Sequence, residues 1–187
     1  MTPRILNRLK ESKASRIRAE GRPFFAVRHG SSRTTFLIGP LAIKIPSLRL
    51  LCRGQTPAQK RERLWRAIVG NLTERATWNL TKASFLAPTY LSLGGLVNIA
   101  KRARGSPASR DTILAMLQIF RIEADHEALG IDGHSFYADG DWLYTGDGYI
   151  LTDYGDTYGL GRPISGFIAK NQSVLEKALG PARNTPD

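Results

Sequence analysis

Residues 130–156 read GIDGHSFYADGDWLYTGDGYILTDYGD and place several carboxylates around two short runs of β-forming residues. Nine of the 16 acidic residues lie between Arg121 and Arg162, a window without lysine or arginine in a chain whose net charge is +11. Because Mg²⁺ binds one or two carboxylates together with phosphate oxygens, this local reversal of charge indicates a cation site. Lys44, in the strand-like LAIKIP, is placed to supply positive charge to the same phosphates.

The composition is that of a globular protein. With 42% apolar and 23% charged residues, the 187 residues fit one domain or one domain with two small lobes. Cys52 is the single cysteine, which excludes an intramolecular disulfide and favours a reducing compartment. Since the sequence has neither a signal-peptide pattern nor an apolar run of membrane-spanning length, we expect a cytoplasmic protein without membrane contact. The positive charge favours contact with nucleic acid or an acidic protein.

β-forming runs in the first half predict an antiparallel sheet of about five strands, a three-stranded meander followed by a hairpin. The runs are 24–27, 34–38, 41–45, 85–91 and 95–100. Gly30-Ser31-Ser32 forms the first turn of the meander, where small residues let backbone N–H groups approach a phosphate. Hairpin geometry alone also favours such residues, so this turn is a weak signal by itself.

Residues 58–84, between the meander and the hairpin, have apolar side chains at helical spacing. Gly70-Asn71 is expected to break this region into two helices. Glu74 lies on the second of them, and a helix packed across the sheet would bring its carboxylate to Lys44. We therefore predict an ion pair between Lys44 and Glu74, with Glu62 as the competing partner.

The second half of the chain predicts a helix, a hairpin and a further helix. The basic, breaker-rich segment 101–107 is suited to a hinge. The predicted elements are an amphipathic helix over 111–129, a β-hairpin over 142–144 and 149–152, and a helix of weak periodicity over 163–180. Asp153 follows the hairpin directly, and the charge distribution predicts one acidic cleft within a basic surface.

The order of these parts resembles the protein-kinase fold over residues 24–156. A small-residue turn, a lysine ending a strand, a glutamate on the next helix and a hairpin ending in Asp-Tyr-Gly follow one another in that family's order. The chain is also similar to small bacterial and phage kinase-like proteins. The resemblance implies a minimal two-lobed α+β fold: a basic extension (1–22), an N-lobe with its sheet, helix and hinge (23–105), and a reduced, mainly helical C-lobe (106–187).

The same resemblance implies ATP and Mg²⁺ as cofactors and phosphoryl transfer as the reaction. The site residues that it implies are Gly30, Ser31, Ser32, Lys44 and Glu74 for nucleotide contacts, Asp141 and Asp153 for the metal, Lys44 also for charge neutralisation in catalysis, and Asp132 or Asp139 for the catalytic base. Asp132 is favoured as the base because it comes soon after the predicted helix. His134 is a further candidate to assist it.

Two functions of different classes follow from the sequence. The first is a small kinase that transfers phosphate to a hydroxyl of an unknown substrate, which we expect to be a protein. The alternative is a catalytically inactive pseudokinase that binds nucleic acid or a partner protein. The absence of the family's HRD catalytic-loop pattern and the net charge of +11 favour this alternative.

Overall fold

The computed structural model of the chain describes residues 24–30, 32–47, 56–120, 141–155 and 162–180. Within these residues the fold is α+β, with one five-stranded sheet, one three-stranded sheet and three helices. The predicted basic extension (1–22) lies outside them, as do residues 121–129 of the predicted second helical region.

The predicted five-stranded antiparallel sheet is present, with strand order β1-β2-β3-β5-β4. Its strands are β1 (Phe25–His29), β2 (Arg33–Ile38), β3 (Leu41–Pro46), β4 (Thr89–Leu93) and β5 (Val97–Lys101). Threonine, isoleucine and phenylalanine dominate β2, as expected of a strand. Gly39 has a φ of 54° in the two-residue turn between β2 and β3, a conformation that favours glycine.

The predicted strand over 85–91 begins later, at Thr89, because its first residues pair elsewhere. Leu151 donates its N–H to the carbonyl of Phe85 at 2.7 Å and accepts from Ala87 at 2.9 Å. Phe85 and Leu86 are consequently buried in the core rather than extended along β5. Residues 85–87 thus connect the first sheet to the second.

Helix α1 (Pro57–Thr81) is continuous, so the prediction of a break at Gly70-Asn71 is wrong. Thr56 caps the helix in a capping box with Gln59, and Pro57 occupies its first turn. Glycine inside a helix costs about 1 kcal/mol relative to alanine, a cost that tertiary contacts offset here. The Gly70 carbonyl packs against the backbone of Gly155, and Asn71 donates from Nδ2 to the carbonyl of Gly95 at 2.8 Å.

The second half forms a smaller sheet and two helices around the main apolar core. The elements are β6 (Ser106–Pro107), helix α2 (Arg110–Ile119), β7 (Trp142–Tyr144), β8 (Tyr149–Leu151) and helix α3 (Arg162–Ala178). The predicted hairpin is confirmed, as is the predicted helix near the C-terminus. Apolar side chains of both helices, both hairpin strands and the 85–87 segment fill the core, among them Phe85, Ile113, Leu117, Trp142, Leu151, Ile168 and Leu175.

Candidate functional site

The predicted ion pair between Lys44 and Glu74 is present: Lys44 Nζ lies 2.6 Å from Glu74 Oε1. The side chains are 7% and 0% exposed, because β3 presents Lys44 to the face of the sheet on which α1 packs. Lys44 Nζ also donates to the carbonyl oxygen of Thr152 at 2.7 Å. Glu62, the competing partner, is exposed and instead pairs with Arg66 of its own helix at 2.5 Å.

The Glu74 carboxylate accepts hydrogen bonds from three side chains. Its Oε1 accepts from Lys44 and, at 2.8 Å, from Arg33 Nη1, while its Oε2 accepts from Asn98 Nδ2 at 2.9 Å. Asn98 reaches it because β5 pairs with β3 in a register that places Asn98 beside Lys44. A buried carboxylate is tolerated only with such partners, so Glu74 is the fixed centre of this site.

Arg33, the first residue of β2, is the site residue that the sequence interpretation missed. Its side chain is 6% exposed and donates from Nη1 to Glu74 and to Asn71 Oδ1, and from Nη2 to Asp153 Oδ1. Burial, which would lower the pKa of Arg33, is outweighed by the charges of Asp153 and Glu74, so this pKa is raised. The two-residue turn before β3 sets a register that pairs Thr35 with Lys44, and strand alternation then places Arg33 on the face of Lys44. The register of β2 and β3 is therefore the signal that could have identified Arg33 as a residue of this site.

Asp153 and Asp141 lie at the open end of the β7–β8 hairpin. The backbone N–H and the hydroxyl of Thr152 both donate to the Asp141 carbonyl, at 2.8 and 2.9 Å, which aligns the residues around the two acids. Burial alone would raise the pKa of Asp153, but the charges of Arg33 and Lys44 hold it well below its ordinary value. Burial and the adjacent Asp153 carboxylate raise the pKa of Asp141 to about 8.

We call Arg33, Lys44, Glu74, Asp141 and Asp153 the charge cluster. It combines two cations, one fully buried carboxylate and two carboxylates with pKa values shifted in opposite directions. Such opposed shifts arise where neighbouring carboxylates differ in their cationic partners, and they concentrate at functional sites.

Tyr154 and Gly155 fix the segment that carries Asp153. The Tyr154 hydroxyl hydrogen-bonds to the carbonyl of Ala87 at 2.7 Å and to Thr89 Oγ1 at 2.9 Å, and the side chain is 1% exposed. A Cβ on Gly155 would collide with the carbonyl of Gly70. Glycine is required here for close approach to α1, so the position of Asp153 is coupled to the helix that holds Glu74.

The turn expected to contact phosphate forms the tight end of the β1–β2 hairpin. The Gly30 N–H donates to the carbonyl of Arg33 at 2.8 Å, which leaves a two-residue loop. Ser32 is buried, and its carbonyl accepts from the Ser47 N–H at 2.7 Å. Ser31 lies outside the described residues. This turn adjoins the charge cluster through Arg33, and its contact with phosphate stays a prediction.

The candidate bases Asp132 and Asp139 lie outside the described residues, as does His134. In all, six of the nine acidic residues between Arg121 and Arg162 lie outside the described residues, so the acidic cleft stays a prediction. Within the described ranges, no three His, Cys, Asp or Glu side chains are grouped so that they could hold a metal ion. Asp141 and Asp153 would therefore need oxygens from a ligand to complete a Mg²⁺ site.

No protein-family model matches the chain, and no curated protein is significantly similar to it. None of the helices in the described part of the chain combines the length and apolar composition needed to cross a bilayer. The chemistry available at the site must accordingly be inferred from the charge cluster itself.

Proposed function

We propose that this chain is a small kinase-like protein that binds ATP with Mg²⁺ at the charge cluster and transfers a phosphoryl group to a hydroxyl of a protein substrate. The observation that carries the proposal is the convergence of two distant segments on Lys44. Its Nζ contacts Glu74 of α1 at 2.6 Å and the carbonyl of Thr152 at 2.7 Å, directly before Asp153. A lysine and glutamate pair beside a strand-end aspartate is the arrangement that kinases use to position phosphates.

The order of the elements supports a minimal two-lobed interpretation of the fold. The five-stranded sheet with α1 corresponds to the proposed N-lobe, and α2, α3 and the three-stranded sheet correspond to a reduced C-lobe. Asp153 lies where these two parts meet, since its neighbour Tyr154 contacts Thr89 of β4 while β8 belongs to the smaller sheet. Ligands commonly bind at such junctions.

The residues of the cluster fit a magnesium nucleotide. Asp141 and Asp153 offer the oxygen ligands that Mg²⁺ prefers, and the metal would neutralise charge on the phosphates when bound. Lys44 uses two of its three N–H groups on Glu74 and Thr152 and keeps one for a phosphate oxygen. Asp153 is ionised at neutral pH, whereas Asp141 must release its proton before it can bind metal.

Removal of the substrate proton would fall to Asp132 or Asp139, which we retain as the proposed bases. Asp132→Asn and Asp139→Asn should separate their roles. The variant that loses the base should lose phosphoryl transfer by about two to four orders of magnitude and retain nucleotide binding. Equal, small effects from both substitutions would count against either residue as the base.

A thermal-shift measurement with and without Mg-ATP tests nucleotide binding. At a ligand concentration 100 times Kd, binding should stabilise the wild type by about 2.7 kcal/mol. Lys44→Met should abolish this shift, whereas Lys170→Met, an equal charge change on an exposed residue of α3, should preserve it. A wild type whose melting temperature does not respond to Mg-ATP would rule out the proposed nucleotide site.

A second candidate function is a pseudokinase that binds nucleic acid or a partner protein without chemistry. The net charge of +11 favours it, and so does the bond between Arg33 and Asp153, which engages a proposed metal ligand. Polynucleotide binding should then weaken steeply with salt. Arg104→Ala should reduce the salt slope by about 1 unit. Arg104 is preferable to Arg102, whose side chain donates to the carbonyl of Gly39.

A further inference from the structure

Arg33 connects two carboxylates that lie on different elements. Its Nη1 donates to Glu74 Oε1 at 2.8 Å and to Asn71 Oδ1 at 3.2 Å, both on α1. Its Nη2 donates to Asp153 Oδ1, just beyond β8. The guanidinium therefore already supplies a positive charge to the carboxylate that the proposed function assigns to Mg²⁺, and the two cations compete for it.

We infer that Arg33 is an internal cation that excludes free divalent metal from Asp153 and releases this carboxylate when a nucleotide polyphosphate binds. The inference rests on the proposed nucleotide site and adds an order of binding to it. Metal and polyphosphate enter together, and metal alone does not bind. Arg33 is thus a positioning residue that makes metal loading conditional on nucleotide.

The charge balance of the cluster supports this order. Arg33 and Lys44 balance the charges of Glu74 and Asp153, so a divalent cation arriving alone would leave these groups with two uncompensated positive charges. Excess charge is costly here because Arg33, Lys44 and Glu74 are buried, where the dielectric constant is low. A polyphosphate brings anionic oxygens that can accept a charge-assisted hydrogen bond from Nη2, and it therefore gives Arg33 an alternative partner.

The two carboxylates that Arg33 contacts differ in how readily they can be released. Glu74 is 0% exposed, and its second oxygen is held by Asn98. The Asp153 side chain is 40% exposed, so solvent and ligands reach it. Arg33 can therefore keep its Nη1 contacts with α1 while the Asp153 side chain turns away and a phosphate oxygen takes its place at Nη2.

A purely structural role for Arg33 predicts a different response to ligands. If Arg33 only fastened β2 to α1, its bond to Asp153 would persist in every ligand state. The environment of the Arg33 guanidinium would then be the same with and without Mg-ATP.

Titration with Mn²⁺ alone, followed by the loss of the free-ion signal in electron paramagnetic resonance, tests whether Arg33 excludes free metal from Asp153. Wild type, Arg33→Gln and Arg28→Gln are compared without nucleotide. Arg28 is the matched control because it carries the same charge on the exposed neighbouring strand β1. We expect Arg33→Gln to bind Mn²⁺ at least about tenfold more tightly than the other two proteins. Equal Mn²⁺ affinity in Arg33→Gln and wild type would overturn the inference.

Spectra of the wild type labelled with ¹⁵N-arginine give a readout that needs no variant to fold. The buried Arg33 guanidinium should give a protected signal that Mg²⁺ alone leaves unchanged and Mg-ATP shifts. A signal that moves equally with Mg²⁺ alone would overturn the inference. The Mn²⁺ titrations contain no nucleotide, so tighter Mn²⁺ binding by Arg33→Gln in a protein that ignores Mg-ATP would refute the proposed function and support the exclusion of metal by Arg33.

Discussion

Glu74 and Asp153 are both carboxylates bound by Arg33, yet the protein surrounds them differently. Glu74 is 0% exposed and accepts from Arg33, Lys44 and Asn98, whereas the Asp153 side chain is 40% exposed. A carboxylate enclosed by donors on both oxygens holds elements together, because losing it leaves buried cations unpaired. A carboxylate that is partly exposed to solvent can exchange its hydrogen-bond partners at a small cost in free energy. Glu74 therefore has a structural role, whereas Asp153 is available to ligands.

The largest effect should come from Glu74→Gln, which tests the structural half of the comparison. The substitution keeps the size of the side chain but leaves Lys44 and Arg33 with one buried counter-ion fewer. We expect the free energy of unfolding to fall by about 3–5 kcal/mol, as when one partner of a buried ion pair is removed. Urea denaturation measures it. Glu62→Gln, which alters an exposed pair on the same helix, is the control and should change stability by less than about 1 kcal/mol.

The next effect concerns pH and the third carboxylate, Asp141. Its pKa rises from 3.8 to about 8 in the folded protein, so between these values the folded state binds a proton that the unfolded state has lost. Stability should therefore decrease as pH rises from about 4 to about 8, by at least about 1 kcal/mol. The pKa of Asp153 is lowered, so this residue makes stability decrease as pH falls, and it does so only below about pH 4.

Asp141→Asn should remove most of this decrease, measured by urea denaturation in EDTA at pH 5, 6, 7 and 8. Asp147→Asn, in the exposed turn of the same hairpin, should leave the pH profile of the wild type unchanged. Parallel profiles for wild type and Asp141→Asn would show that Asp141 is not held near Asp153 in its protonated form.

Gly155→Ala should produce a steric effect of about 1–3 kcal/mol, the usual cost of overpacking. The added methyl group would meet the carbonyl of Gly70, so α1 and the Asp153 segment must separate. Gly166→Ala is a matched control in α3, where nothing lies within 4 Å of the new Cβ, and it should stabilise the protein by about 0.5–1 kcal/mol. Thermal denaturation of both variants compares the two sites. Similar behaviour of the two alanines would contradict the contact between Gly155 and Gly70.

Local sequence patterns were sufficient to predict the five strands of the larger sheet, although β4 begins later than expected, and also the hairpin ending at Asp153 and the pairing of Lys44 with Glu74. Each depends on residues close in sequence or on the rule that a helix packs over the sheet beside it. The break predicted at Gly70-Asn71 failed because local propensity cannot register a contact with Gly155, which is 85 positions away in the sequence. Tertiary contacts override helix propensity at such positions.

Arg33 was missed for a related reason. Its partner Asp153 is 120 residues away, and an arginine beside a turn is ordinarily a solvated residue. Strand register alone places Arg33 on the face of Lys44, but only the arrangement of α1 and β8 brings Asn71 and Asp153 within its reach. Sequence patterns therefore identified acids and a lysine as separate candidates, whereas their linkage through one guanidinium depends on the assembled fold.

The smallest stability effect should come from Asp153→Asn, which tests the exchangeable half of the comparison. Asparagine can still accept from Arg33 through its amide oxygen, and the Asp153 side chain is 40% exposed, so the free energy of unfolding should fall by less than about 2 kcal/mol. The melting-temperature shift with Mg-ATP should nevertheless disappear, because the neutral amide is a poor Mg²⁺ ligand and no longer balances Arg33. Both quantities come from thermal denaturation of wild type and Asp153→Asn with and without Mg-ATP. A loss of several kcal/mol in Asp153→Asn, comparable to that in Glu74→Gln, would place Asp153 with the structural acids and remove the distinction between the two carboxylates.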